Sequence, residues 1–365
     1  MQPRLKLDIG FDDLLSVFTP LPASPQKLKE EIAARFGGER PVVAGFSART
    51  LFDAALTALN LPAGGTAIMS AVNIETMFTI AESHALKVKA LDISTATLLP
   101  SPQDLDAALR ATAARVVVIA QLYGAVSPLD QIADVCRRHT AVLIEDAAQA
   151  FCGDFHKGDR DADISLFSFG PIKRATALGG ALAVVRSRKH AAAMEAILAR
   201  WPVKAERSLR MRALKIAALK AISHPSIYGL LIRMIALAGK DPDAVIGRAA
   251  RGFEAGDILQ QIRFQPPRTL LRLLARRLGQ RHEMRLRSEL AGDFEKGSVA
   301  PGLSAQKQAH WLMPVLCGDP DEFVARARRR GIDATRGATS LRAFGDPLET
   351  PMAHELIRRV VYWPL

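Results

Sequence analysis

The sequence predicts an α/β protein: a mainly parallel, seven-stranded sheet with flanking helices, then a helical insertion and a smaller α+β unit. Three observations carry that expectation. Between residues 41 and 187, β-rich apolar runs alternate with amphipathic stretches, the pattern of βαβ units whose strands are buried on both faces. The composition, 49% apolar and 24% charged over 365 residues, is that of a globular chain long enough for two domains. It excludes disordered, collagen-like and disulfide-scaffold proteins. Past residue 188 the alternation stops and a helical, basic segment takes its place.

The candidate strands are residues 41–46, 65–70, 87–93, 115–122, 141–146, 162–169 and 180–187. A helix is expected after the first, because Leu51, Ala55, Ala58 and Leu59 recur at helical spacing until Asn60, Pro62 and Gly64 stop it. Pro102 behind Ser101 opens another crossover helix, and a third spans 128–139. Residues 188–200 form a helical exit. The expected division is a large α/β unit over 1–200, a basic helical insertion over 201–262 and a small α+β unit over 263–365. In the last, 309–317 reads as a strand, 319–330 as a helix and 355–365 as a closing run.

The net charge is +12, and most of it is local: residues 201–290 hold 18 Lys and Arg against 7 Asp and Glu. Such a stretch suits phosphate, an acidic partner or an anionic membrane surface. Arg210, Arg212, Lys215, Lys220, Arg233 and Lys240 interleave with apolar groups, which suits lying on a bilayer or packing against the rest of the protein. Nucleic acid is the least supported partner, because the segment has few aromatics and no recognised binding module. No apolar run reaches the roughly 18 residues of a membrane span, and Asp8, Asp12 and Asp13 stand where a signal peptide needs its apolar core. A cytoplasmic protein, peripheral on the inner membrane face at most, is expected. Cys136, Cys152 and Cys317 are widely spaced without any CxxC, so packing is expected of them and no metal site.

Chemistry concentrates in two segments, Ile144-Glu145-Asp146-Ala147-Ala148-Gln149-Ala150 and Phe167-Ser168-Phe169-Gly170-Pro171-Ile172-Lys173. Asp146 ends one apolar strand and Lys173 follows another, at the edge where open α/β sheets gather ligands. A carboxylate and a lysine so placed are what pyridoxal 5'-phosphate requires. The lysine condenses with the cofactor aldehyde, and the carboxylate holds the pyridine nitrogen protonated so that the ring accepts electrons. Gln149, one turn beyond Asp146, suits a hydrogen bond to the cofactor's phenolate oxygen, and Ser168 one to its phosphate.

With these motifs, with Gln121-Leu122-Tyr123-Gly124 and with the closing Tyr362-Trp363-Pro364-Leu365, the chain resembles the DegT/DnrJ/EryC1/StrS sugar aminotransferases. These are pyridoxal-phosphate enzymes of the aspartate-aminotransferase fold (fold type I). The resemblance covers residues 40–190 and, more loosely, 263–365. It implies Lys173 and Asp146 as catalytic, and Gln149 and Ser168 as cofactor ligands. The family's phosphate-cradling SGTAAL falls on Ser47-Ala48-Arg49-Thr50-Leu51-Phe52, so Ala48 and Arg49 replace Gly and Thr. The helix start still offers its amides to an anion, and Arg49 adds a fork for phosphate or substrate. The partner-subunit Asn-Tyr-Arg element falls on Arg263-Phe264-Gln265, which makes Arg263 a cofactor-site residue of a homodimer.

Other positions depart from the family. Ile74 lies in the segment where an aromatic ring usually stacks on the cofactor, Arg174 replaces the Asn after the lysine, and Leu178 stands where an acid often precedes Gly-Gly. The expected activity is transfer of an amino group, from a donor the resemblance gives as glutamate, to a keto or aldehyde carbon of a nucleotide- or lipid-linked sugar. The setting would be cell-surface polysaccharide or secondary-metabolite biosynthesis. Two rivals stay open: a non-transaminating pyridoxal-phosphate enzyme such as a sugar dehydratase, in which histidine replaces the lysine, and a degenerate homologue that only binds or regulates. Lys173 opposes the first; Asp146, Gln149 and Lys173 together oppose the second. Tyr123 and the histidines are read as structural, His84 and His139 as helix-end residues.

Overall fold

A computed structural model of the chain describes residues 2–364 except 5–6, 21–22, 152, 154–155, 224–227, 231, 233, 235–236, 239–255, 281–297 and 309–311. Each of the seven expected runs holds a strand: β1 Val42–Gly45, β2 Thr66–Ser70, β3 Lys87–Leu91, β4 Val116–Ala120, β5 Val142–Asp146, β6 Ile164–Ser168 and β7 Ala181–Val185. They form one sheet in the order β1-β7-β6-β5-β4-β2-β3. β7 runs antiparallel to both neighbours, and every other pairing is parallel. The first six strands therefore end at one edge, where β7 begins.

Every residue of β4 and β7 is buried, which demands cover on both faces. Alternation supplies the two sides. Val116 and Val118 join Leu51, Phe52, Leu56 and Met194 from the helices Ala48–Leu59 and Arg188–Ala199 in one core. Val117 and Ile119 join Leu105, Leu109, Ile132 and Val135 from Pro102–Thr112 and Asp130–Arg138 on the opposite face. Under β6, β7 and β1, Phe167, Phe169 and Leu182 pack with the helices Pro25–Phe36, Glu206–Ile222 and Arg268–Leu278.

The carboxyl end of β1 must come close to the helix that follows it. A Cβ on Gly45 would lie 2.6 Å from Leu51 Cγ, so only glycine lets the strand end and helix pack at this distance. Ser47 then caps the helix by accepting from the Thr50 amide at 3.1 Å.

The C-terminal region pairs Met313–Leu316 antiparallel with Val360–Trp363, beside a helix Pro320–Arg329 capped by Asp319. The expected closing run over 355–365 is in fact the end of a helix, Pro351–Arg359, followed by that strand. The switch falls where β-branched and aromatic residues, Val360-Val361-Tyr362-Trp363, begin. In the expected insertion the helix Glu206–Ile222 and a short turn, Ile258–Ile262, lie among the described residues, whereas 239–255 lie outside them. Cys136 and Cys317 are buried and unbridged, and Cys152 lies outside the described residues. Among the described residues no helix is long and apolar enough to cross a membrane.

Replacing Gly45 by Ala should cost about 1–3 kcal/mol by forcing Leu51 aside. Chemical denaturation followed by circular dichroism measures it, with wild-type stability contradicting the close approach.

Candidate active site

The sheet edge gathers the expected residues into one place. Asp146 closes β5, buried, with Oδ1 accepting from the Ala148 amide at 3.1 Å. Lys173, half-buried, sits in the turn after β6, its amide bonded to the Gly170 carbonyl at 3.0 Å. Arg49, in the first turn of Ala48–Leu59, donates from Nε to Thr76 Oγ1 at 2.6 Å. These three groups feel one another's charge. Burial pushes the Asp146 carboxyl up, while the Ala148 amide, Lys173 and Arg49 pull it back. Burial lowers the Lys173 ammonium to about 8, with Asp146 opposing and Arg49 adding to the shift. Arg49 falls to about 10 by burial, again opposed by Asp146.

Gln149 reaches back to the turn after β4, where its Oε1 accepts from the Tyr123 amide at 2.9 Å. Tyr123 and Gly124 both have positive φ, so the Gln121–Gly124 segment is a tight reversal that the glutamine side chain pins. Gln121 accepts from the Ser127 amide and donates to the Ser127 carbonyl and Glu145 Oε1, and its own amide bonds the Asp146 carbonyl. Glu145, fully buried beside Asp146 in sequence, is satisfied by His156 at 2.8 Å and the Asp159 amide at 2.9 Å. Ser168 ends β6 at the same edge, partly exposed. Ala48 opens the helix whose amides ahead of Thr50 have no carbonyl within it.

Arg263 stands apart from this cluster. Its Nε and Nη2 bind the buried Asp53 carboxylate at 2.8 and 3.0 Å within the same chain, and His84 Nε2 lies 2.8 Å from the same carboxylate. Thr50 Oγ1 donates to the Ile262 carbonyl at 2.8 Å, so the Ala48–Leu59 helix is tied to residues 262 and 263 at two points. His84 and His139 do sit at helix C-termini, each beside an aspartate.

Sequence reasoning missed what holds the lysine turn. Ala175 and Leu178 adopt left-handed φ of 48° and 64°, unfavourable for residues with a Cβ. Charged side chains from distant segments fix that backbone. Asp8 Oδ2 accepts from the Ala175 amide at 2.6 Å, Arg277 Nε donates to the Thr176 carbonyl at 3.1 Å, and Arg212 Nη1 donates to the Leu178 carbonyl at 2.7 Å. Arg277 is itself buried between Asp8 and Asp13, at 3.0 and 2.9 Å. Arg212, expected among the surface cations, thus points inward and serves the site. The sequence signal was faint: aspartates near the N-terminus and an arginine-rich helix, with nothing to pair them.

Comparison with known proteins agrees with this architecture. A model of the DegT/DnrJ/EryC1/StrS aminotransferase family matches residues 24–215, and the chain belongs to that family. It is 33% identical over 144 residues to the L-glutamine:2-deoxy-scyllo-inosose aminotransferase of Streptomyces kanamyceticus, 39% of this chain and 33% of that relative. It thus spans about a third of the length of the curated relatives it matches. Its fold is that of the sugar aminotransferase CalS13 from Micromonospora echinospora, with 18% identity, TM-score 0.64 and coverage of 100% and 94%. It is also that of E. coli GDP-4-keto-6-deoxy-D-mannose-3-dehydratase, with 14% identity, TM-score 0.66 and coverage of 100% and 95%.

Asp8→Ala should leave the protein folded yet loosen the lysine turn, slowing reaction of Lys173 about tenfold. Arg277→Ala should cost about 1–3 kcal/mol, because it leaves the buried Thr176 carbonyl without its donor and removes one partner of Asp13, which Arg276 and Gln280 still hold. Denaturation and amine-labelling kinetics measure the two, and identical behaviour of both variants to wild type contradicts the clamp.

Proposed function

We propose that the protein is a pyridoxal-phosphate aminotransferase that moves an amino group from an amino acid to a keto or aldehyde carbon of a sugar carried on a nucleotide or a lipid. The observation that carries this reading is the coupled Lys173, Asp146 and Arg49 cluster at the carboxyl edge of the sheet. The residues fit the cofactor. Asp146 is a buried carboxylate whose Oδ2 accepts no hydrogen bond among the described residues, the partner a protonated ring nitrogen needs. The helix start at Ala48 and Arg49, and Ser168 at the end of β6, would supply donors for a phosphate.

When bound, pyridoxal phosphate supplies an aldehyde for amines and a ring that accepts an electron pair. The protein's part is positional and protonic. Lys173 Nζ would hold the cofactor aldehyde and, as the neutral amine, would be the group that moves a proton at the donor α-carbon. Its depressed ammonium makes the free base available near neutral pH. Asp146 would keep the ring nitrogen protonated, the state in which its own buried charge would be compensated. Gln149, with Oε1 engaged by Tyr123, keeps its amide N–H groups for the cofactor oxygen. Arg49 neutralises phosphate or a substrate anion.

A dehydratase of the same fold is the second reading, and Lys173 argues against it. Glutamate or glutamine is the expected donor, and surface-polysaccharide or secondary-metabolite assembly the setting. A homodimer completes each site. Arg263 binds Asp53 through Nε and Nη2, and we assign its Nη1 to the partner subunit's cofactor phosphate.

Glutamate added to the holoprotein should convert its absorbance to that of the amine form and release one equivalent of 2-oxoglutarate, and Lys173→Ala should abolish both. No conversion with glutamate or glutamine would contradict transamination. Cofactor capture by the apoprotein should rise with pH, half-maximal at about 8, because the ammonium below that pH is not a nucleophile. Arg49→Met should move the midpoint upward by removing a cation; a pH-independent rate contradicts the assignment. Sedimentation should give a dimer, and a fully active monomer excludes the shared site.

A further inference from the structure

The helix Glu206–Ile222 has apolar residues on opposite faces. Leu209, Ala213 and Ile216 are buried against the N-terminal helix and Arg268–Leu278. On the other side Met211, Leu214, Ala218 and Ile222 follow one another at helical spacing and are exposed, Met211 at 64% and Leu214 at 52%. Arg207, Arg210 and Lys215 flank this stripe, exposed and with no carboxylate partner among the described residues. The inward charges are spent elsewhere: Glu206 accepts from the Thr269 amide, and Arg212 holds Leu178.

The neighbouring helix Phe11–Ser16 extends the surface. Its Phe11 and Leu15 are exposed, and Phe11 lies beside Lys220, whose Nζ is 5.8 Å from the ring centroid. Further along, Leu230, Met234 and Leu237 are exposed at helical spacing, opposite the buried Tyr228 and Ile232. Soluble surfaces seldom leave so many large apolar side chains uncovered on adjacent elements.

We infer that this outer face of Glu206–Ile222, with Phe11 and Leu15, docks on an anionic lipid bilayer. Charge complementarity selects that occupant. A second copy meeting the face across a two-fold axis would bring the three cations Arg207, Arg210 and Lys215 of each copy into one seam with no carboxylate from this face to pair them. An anionic bilayer accepts the cations at its headgroups and the Met and Leu side chains just beneath them, the arrangement of an interfacial helix. The inference stands independently of the transamination reading, because it uses no residue of the site.

The test is flotation of the holoprotein with vesicles of phosphatidylglycerol in phosphatidylcholine, against phosphatidylcholine alone. Binding is expected only with the anionic lipid and is weakened by salt. Arg210→Gln with Lys215→Gln should lower the partition coefficient about 30-fold at low ionic strength. Met211→Ser with Leu214→Ser should remove the binding that persists in salt. Both double variants should keep the wild-type circular dichroism spectrum and melting temperature, which certifies their folding without recourse to the activity. Equal recovery on both vesicles, recovery on neither, or wild-type binding by both variants overturns the inference. So does a smaller oligomer for the Met211 and Leu214 variant, which would make the face a subunit contact.

Discussion

Two cations, Lys173 and Arg49, stand at the desolvated edge of the sheet because the Asp146 carboxylate shares that edge with them. Burial alone would drive all three groups toward their neutral forms; the attraction of Asp146 for each cation resists it, while Arg49 and Lys173 repel each other. The site is therefore held in an electrostatic balance that a bound anion and a protonated ring nitrogen would shift toward the charged forms. The rest of the fold serves that balance. The parallel strands deliver Asp146 and Ser168 to one edge, Gly45 lets the helix bearing Arg49 close against β1, and the reversal at Tyr123 pins Gln149.

The lysine turn shows how position is maintained at a cost. Left-handed Ala175 and Leu178 are unfavourable alone, and burying Arg277 between two aspartates is at best neutral for stability. What the arrangement supplies is geometry. The turn that aims Lys173 is fixed from the N-terminal segment, from Glu206–Ile222 and from Arg268–Leu278 together. The N-terminal segment and Glu206–Ile222, which the family resemblance leaves uncovered, are thus tied to the chemistry, and loosening either should be felt at Lys173.

How much of this could be read from the sequence follows from range. The strands and the residues at their ends were readable, because an apolar run that stops at Asp146 or Ser168 marks the edge by local pattern alone. The clamp on the lysine turn was not, since Asp8 and Arg277 meet it across separations of 167 and 101 residues and no periodicity records such pairs. Arg263 illustrates a middle case. Its spacing suggested a cofactor role, but the bidentate pair with Asp53 is a tertiary event that spacing cannot reveal. In the basic segment composition told of cations and apolar groups; only the helix showed that Arg212 turns inward while Met211 and Leu214 turn out.

On the proposed reading, this edge holds pyridoxal phosphate through one amine chosen by its surroundings. Borohydride reduction of the protein mixed with one equivalent of the cofactor, followed by peptide mapping, tests it directly. A stoichiometric pyridoxyl group on Lys173 is expected, lost in Lys173→Ala and diminished in Asp146→Ala. Label scattered over surface lysines, with none enriched at Lys173, would contradict it.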